Sequence, residues 1–310
     1  MKLVPTLATF AATLFSTAVV AEDKPILGSR SFLDEGNNNS IIEHQYSEGD
    51  YLKPGDVGID FYGHMAFKIT SPNGITMVID PWRNDPTGVF GVWYPEEFPE
   101  VSADIAISSH AHFDHDAVYR VKASMNLERI AGVFHLGDVK ITGFADKHQC
   151  HAPGEVNWTA YLKSEFHLDL EELCPENAPR SWDNVIYVIE TGGMKIGFWG
   201  DNRPDPDPHL FEQLEDLDVM IMNIDGSGHI LSYEQVNDIL DRIKPRSVIP
   251  GHYLQVGTVL DSSTLKSADE WVYKNADVVA LNSASLTVNK ALLEGAQGRV
   301  YYFGDNVKKD

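Results

Sequence analysis

Short hydrophobic runs separated by turn residues dominate the first third of the chain. Strand-like runs rich in apolar residues lie at 57–62, 65–70 and 75–79, and the last two are divided by Pro72-Asn73-Gly74, a sequence typical of a hairpin turn. A fourth run, 104–107, leads directly into a polar stretch rich in histidine. This pattern predicts that the chain opens with β-strands.

The remainder of the chain alternates helical and strand-like patterns. Spacing typical of amphipathic helices predicts helices at 116–125, 207–215 and 232–243. The last of these begins with Ser232 and Gln235, which form a capping pattern. Hydrophobic runs predict strands at 130–134, 139–144, 185–190, 195–199, 219–223, 246–249, 278–280, 285–288 and 300–303. No regular pattern covers 152–182, and we expect an irregular loop there that forms a lid or a binding wall.

The length and composition indicate one domain. The chain has 310 residues, of which 43% are hydrophobic, and no shift in composition marks a second unit. Residues 1–21 have the features of an export signal: the positive charge of Lys2, an apolar stretch, and the small-residue site Val19-Val20-Ala21. We therefore predict a signal peptide at 1–21, a single domain at 22–310, and an exported protein, periplasmic or secreted. The alternative is a membrane anchor, which Pro5 and several hydroxyl residues disfavour.

The charge of the chain excludes one class of partner. The formal net charge is −22, and removal of the signal with Lys2 makes it −23. Because nucleic-acid binding draws most of its affinity from Lys and Arg, we expect no nucleic-acid partner. A small-molecule or lipid-like substrate is expected instead, with no membrane span in the mature chain.

The two cysteines, Cys150 and Cys174, leave two possibilities open. In an exported protein they can form one disulfide that closes a modest loop. Alternatively, Cys150 is a free thiol beside a metal site.

The stretch Ser108–His115 concentrates candidate metal ligands. It places His110, His112, Asp114 and His115 on one loop directly after an apolar run. A strand holds the base of such a loop rigid, so that successive side chains can turn toward one point. Imidazole and carboxylate together suit zinc, iron, manganese or nickel. His110 and His112 can bind one ion and leave Asp114 and His115 for a second.

This His-x-His-x-Asp-His string resembles the signature of the metallo-β-lactamase fold superfamily, whose members are mostly hydrolases with one or two metal ions. Gly63-His64-Met65-Ala66-Phe67 and Asp80-Pro81 resemble elements of the branch that contains ascorbate-phosphate-lactonase-like and N-acyl-phosphatidylethanolamine phospholipase-like enzymes. The resemblance implies an α/β fold, a four-layer αββα sandwich. It also implies that His64 supports the site from behind, by a hydrogen bond to a ligand carboxylate.

The same resemblance implies the remaining ligands. His148 matches the histidine of the second ligand segment, although His151 is close enough to be confused with it. Asp201 matches a carboxylate that bridges two ions and uses both of its oxygens to hold them, with an N-cap as its alternative role. His252 matches the last ligand. The implied set is therefore His110, His112 and His148 for one ion, Asp114, His115 and His252 for the other, and Asp201 shared between them.

The implied reaction is hydrolysis by two divalent ions and a bridging hydroxide, with zinc favoured and manganese as the alternative. Asp114 and His229 are the candidate catalytic residues, His229 as a hydrogen-bond donor to substrate. Lactones, carboxylic esters and phosphodiesters are the expected substrates.

The alternative function is that of an exported metal-binding or interaction protein without catalysis. A β-lactamase is disfavoured, since the lactamases lack a bridging aspartate.

Overall fold

The fold is built from two facing β-sheets, seen in a computed structural model of the chain. Residues 49–88, 91–150, 158–167, 169, 182–225, 230–255, 258 and 265–309 are described. The predicted signal peptide and most of the predicted loop at 152–182 lie outside these residues. Within them, no helix is long and apolar enough to cross a membrane.

The first sheet has six strands in the order β13-β1-β2-β3-β4-β5. Its strands are β1 (Val57–Phe61), β2 (Phe67–Thr70), β3 (Thr76–Ile79), β4 (Val101–Ser108), β5 (Val121–Glu128) and β13 (Ser285–Val288). The hairpin strands β1, β2 and β3 pair antiparallel, whereas β3, β4 and β5 run parallel. The predicted opening strands are confirmed.

The second sheet has eight strands in the order β12-β14-β11-β10-β9-β8-β7-β6. Its strands are β6 (Gly132–Leu136), β7 (Val139–Asp146), β8 (Asn184–Thr191), β9 (Met194–Phe198), β10 (Val219–Asn223), β11 (Ser247–Gly251), β12 (Val278–Ala280) and β14 (Arg299–Tyr302). Strands β9, β10 and β11 are parallel, so their carboxyl ends reach the same edge.

Apolar side chains of both sheets form the main core. Ile59 and Ile107 of the first sheet belong to one buried cluster with Ile189 and Ile221 of the second. A separate cluster that includes Val78 and Ala106 lies on the outer face of the first sheet, since neighbouring residues of a strand point to opposite faces. The layered sandwich predicted from the sequence is confirmed.

The helices are short and lie outside the sheets. They are α1 (Trp158–Phe166), α2 (Pro208–Gln213), α3 (Tyr233–Ile243) and α4 (Asp269–Val272). Helix α3 has the predicted capping box: the Ser232 hydroxyl accepts from the Gln235 amide, and the Gln235 side chain accepts from the Ser232 amide. Its Val236, Ile239 and Ile243 are buried.

Two predictions about secondary structure are wrong. Residues 116–125 do not form a helix: a 3₁₀ helix at Val118–Arg120 leads into β5, which pairs with β4 along its whole length. Along β5, every second side chain is exposed and those between are less so. This period of two residues is that of a strand and not of a helix. Within the stretch predicted to be irregular, 158–166 form helix α1.

Candidate metal centre

The candidate site lies where the carboxyl ends of parallel strands from both sheets meet. Strand β4 ends at Ser108 and opens into the predicted metal loop, while β9 leads to Asp201 and β11 leads to His252. The Ser109 amide and hydroxyl both donate to the Asp80 carboxylate, at 2.6 Å each. Asp80 directly follows β3, so the start of the loop is fixed to the neighbouring strand.

The structure brings the first predicted ligand group together. One ligand atom each from His110, His112, His148 and Asp201 lie within 4.8 Å of one another. His112 is the exposed member of this group, and His110 and Asp201 are buried. His148 enters from the end of β7 through an isolated bridge to Asn202. His151, the alternative to His148, lies outside the described residues.

The second predicted group also converges, with His64 added to it. Ligand atoms of His64, Asp114, His115 and His252, all buried, lie within 4.8 Å of one another. His64 Nε2 donates to Asp114 Oδ2 at 2.9 Å, which is the supporting contact predicted from the sequence. Asp114 Oδ2 lies 3.6 Å from His115 Nε2 and 3.8 Å from His252 Nε2. Asp114, a predicted catalytic residue, therefore lies inside this cluster.

Asp201 lies between the two groups. Its Oδ2 atom is 3.7 Å from His110 Nε2 and 3.6 Å from His148 Nε2 in the first group. It is also 3.3 Å from Nε2 of both His115 and His252 in the second. Zinc ligands at 2.0–2.1 Å from a tetrahedral ion lie about 3.4 Å from one another, so these separations suit a shared ligand.

The orientation of Asp201 differs from the sequence-based expectation that both of its oxygens face the ions. Its Oδ1 atom accepts a hydrogen bond of 2.5 Å from Asn223 Nδ2, at the end of β10. Each of the four histidine Nε2 atoms lies 3.3–3.7 Å from Oδ2. Asn223 thus turns one oxygen away and presents the other to both groups.

The imidazole rings are held through Nδ1, so that Nε2 points into the site. His115 Nδ1 donates to Asp80 Oδ2 at 2.8 Å, and His148 Nδ1 donates to the Gln149 carbonyl. His110 Nδ1 donates to Ser109 Oγ at 3.0 Å, and His252 Nδ1 lies 3.5 Å from Asp225 Oδ2. Metal-binding histidines in proteins are oriented by this kind of contact.

Buried imidazole nitrogens test whether a metal ion fits this site. The Nε2 atoms of His110, His115 and His148 are buried and make no hydrogen bond of acceptable geometry with the described residues. Buried polar atoms are nearly always paired, so three such atoms around one carboxylate oxygen are arranged as ligands of a cation would be. The residues present therefore fit a site for divalent metal ions.

The electrostatics of the site also favour a cation. Burial lowers the pKa of His252, but the Asp201 carboxylate, together with a hydrogen bond to Asp225, raises it to about 10. Burial lowers the pKa of His64 to about 3, with the charge of His252 acting in the same direction. The buried carboxylates therefore favour positive charge at this end of the site, and a divalent metal ion would supply it.

The backbone at the site is in an unusual conformation. His64, Asp80 and His252 all have positive φ, at 54°, 48° and 61°. Positive φ is uncommon outside glycine and clusters at functional sites. Gly200, before Asp201, also has positive φ, and a Cβ there would lie 2.9 Å from Ser109. These local conformations explain the Gly-His and Gly-Asp sequences at the strand ends.

Three supporting residues were not predicted as part of the site: Asn223, Asp225 and Ser109. Asn223 is the last residue of β10, which is buried along its whole length, and Asp225 follows two positions later. Polar residues at the end of a buried strand are the signal that could have found both. His229, the predicted donor, lies outside the described residues. Cys150 is disulfide-bonded, which excludes the free thiol; Cys174 also lies outside the described residues.

Comparison with known proteins identifies the family. The sequence profile of the β-lactamase superfamily domain matches residues 58–252, more than half of the chain. The chain belongs to the β-lactamase superfamily. This confirms the superfamily inferred from the histidine string, and the chain is a hydrolase of this superfamily.

The chain is also similar to proteins named as metal-dependent hydrolases. The chain is 27% identical over 217 residues to a UPF0173 metal-dependent hydrolase of Thermodesulfovibrio yellowstonii, covering 64% of this chain and 79% of the relative. It is 29% identical to one of Anaeromyxobacter sp., covering 64% and 75%. A candidate Zn-dependent hydrolase from Thermotoga maritima shares the fold, with a TM-score of 0.54 at 20% identity over 79% of this chain and 97% of the other.

Proposed function

We propose that the protein is a hydrolase that uses two divalent metal ions to cleave a lactone, a carboxylic ester or a phosphodiester. The observation that carries the proposal is the position of Asp201 Oδ2, which lies 3.3–3.7 Å from Nε2 of four histidines drawn from both ligand groups. A carboxylate oxygen in that position serves a pair of ions better than a single one.

In this proposal, His110, His112 and His148 would hold one ion, Asp114, His115 and His252 would hold the other, and Asp201 would be the ligand common to both. His64 keeps Asp114 in place by its hydrogen bond of 2.9 Å. A histidine-rich set favours zinc, and manganese is the alternative because the site also offers carboxylates. The presence of two ions in this chain and their identity are both part of this proposal.

When bound, two such ions lower the pKa of water toward neutrality and polarise the oxygen of the bond to be cleaved. The chain itself orients the ligands through Asp80, Asn223 and Asp225, and excludes bulk water by burying Asp114 and Asp201. His229 is proposed to donate a hydrogen bond to the oxygen that gains negative charge. The net charge of −22 supports a small-molecule or lipid-like substrate over a polyanion.

A substrate screen tests the proposed reaction. Protein purified without chelator, and reconstituted with zinc or manganese, is assayed on chromogenic lactone, ester and phosphodiester substrates, with a chromogenic cephalosporin as the β-lactam control. We expect hydrolysis in at least one of the first three classes and its loss after chelation. A metal-loaded protein that cleaves none of them, or that prefers the cephalosporin, would contradict the proposal.

Export of the mature chain is a separate proposal with its own test. It rests on Lys2, the apolar stretch and Val19-Val20-Ala21. Intact-mass analysis of the protein recovered from outside the cytoplasm should give a chain that begins at Glu22. Recovery with Met1 retained in a membrane fraction would favour an anchor instead.

A further inference from the structure

An aromatic wall stands beside the second ligand group, formed by Trp82, Trp93 and Tyr94 of the connection between β3 and β4. The Tyr94 ring stacks on Trp82, with centroids 4.1 Å apart and planes inclined by 23°. It meets the His64 ring edge-on at 5.9 Å. His64 in turn bonds to Asp114 and lies 4.1 Å from the His252 ring. Tyr94 therefore packs against the Asp114 and His252 end of the site.

The backbone around Tyr94 is fixed by one side chain. Asn84 Oδ1 accepts from the amides of Trp93 and Tyr94, at 2.8 and 2.9 Å. Asn84 Nδ2 donates to the Tyr94 carbonyl at 2.7 Å. Tyr94 is thus held in one position before any substrate binds, which is what a preorganised hydrogen-bond donor requires.

The Tyr94 hydroxyl has no partner among the described residues, although the side chain is only 6% exposed. A buried tyrosine hydroxyl normally finds one. Burial raises the pKa of Tyr94 well above its usual value, and the negative charges of Asp114 and Asp201 act in the same direction. The hydroxyl therefore keeps its proton and can act as a donor.

We propose that the Tyr94 hydroxyl donates a hydrogen bond to the substrate oxygen that gains negative charge during hydrolysis. The donor is buried and unsatisfied, and its ring packs against His64, which bonds to Asp114 at this end of the site. This inference rests on the proposed hydrolase function and adds a donor to it. The proposal also restricts the substrate: its reacting group must present an oxygen acceptor toward the aromatic wall.

Tyr94→Phe tests this proposal, since it removes one oxygen atom and keeps the stacked ring. We expect two bound ions as in the wild type, a similar KM, and kcat lower by about 100-fold on the best chromogenic substrate, the scale for one lost donor. Inorganic phosphate serves as a second probe, because it offers acceptor oxygens without any reaction. Calorimetry on the metal-loaded proteins should show about tenfold weaker phosphate binding to the variant, the scale expected when a hydrogen bond to a charged group is lost.

Tyr301→Phe is the matched control, because it removes a tyrosine hydroxyl from a buried side chain on β14 that belongs to neither ligand group. We expect wild-type kcat and phosphate affinity for it. Wild-type values for Tyr94→Phe, or loss of an ion from it, would overturn the proposal, as would a wild-type protein that binds no phosphate. If the wild type cleaves no substrate but binds phosphate through Tyr94, the proposed hydrolysis fails while the donor role stands.

Discussion

Asp201→Ala should remove both metal ions from the protein and abolish most of its activity. The oxygen that lies 3.3–3.7 Å from four histidine nitrogens would be lost, so each ligand group would lack its shared member. Metal catalysis of this kind is worth several kcal/mol, and a loss of about 4 kcal/mol corresponds to about a thousandfold in rate. Elemental analysis and kcat on the best substrate measure the two effects.

Asp201→Asn is the matched variant, since it keeps the shape of the side chain and removes its charge. We expect it to lose metal as well, because charge rather than volume holds the ions. Asp207→Ala is the control for a lost carboxylate: Asp207 caps helix α2 on the surface, and its loss should cost about 1 kcal/mol of stability but no metal. Retention of both ions by Asp201→Ala would show that Asp201 is not shared.

His252→Ala and His229→Ala should separate a ligand from a substrate donor. His252 is buried with Asp114 and Asp201, so we expect His252→Ala to lose an ion and its activity. His229 is outside the predicted ligand set, so His229→Ala should keep both ions and lower kcat by about 100-fold, as expected for one donor. Metal content and kcat of the two variants are measured side by side.

A second variant at position 252 shows whether a loss of metal from His252→Ala results from misfolding. His252 has a φ of 61°, which alanine adopts at a cost, whereas asparagine tolerates it. We therefore expect His252→Asn to fold with wild-type stability against denaturant and still lose an ion. A fully active His229→Ala protein, or one that loses an ion, would contradict the donor role.

The sequence predicted most strands and the convergence of the site, because both depend on local patterns. Ligand residues directly follow hydrophobic runs, and the carboxyl ends of parallel strands share an edge. The helix predicted at 116–125 failed because the apolar positions of β5 fit either period over so short a length. These residues form a strand because they pair with β4, and no local sequence pattern specifies that pairing.

The finer geometry of the site depends on contacts between residues far apart in the chain. Asn223 turns the Asp201 carboxylate, and Asn84 fixes Tyr94, which lies ten positions later in the chain. Neither amide has a sequence signature, since asparagine is common at strand ends and in loops. Such supporting contacts become visible when the strands that carry them are placed side by side.

The most direct test of a site with two metal ions is the metal content per chain. It is measured together with anomalous diffraction from crystals of the same protein. Protein purified without chelator and reconstituted with zinc or manganese should hold two ions per chain. Both should bind Asp201, one beside His110, His112 and His148 and the other beside Asp114, His115 and His252. A single ion or none after reconstitution, or two ions that do not share Asp201, would contradict it.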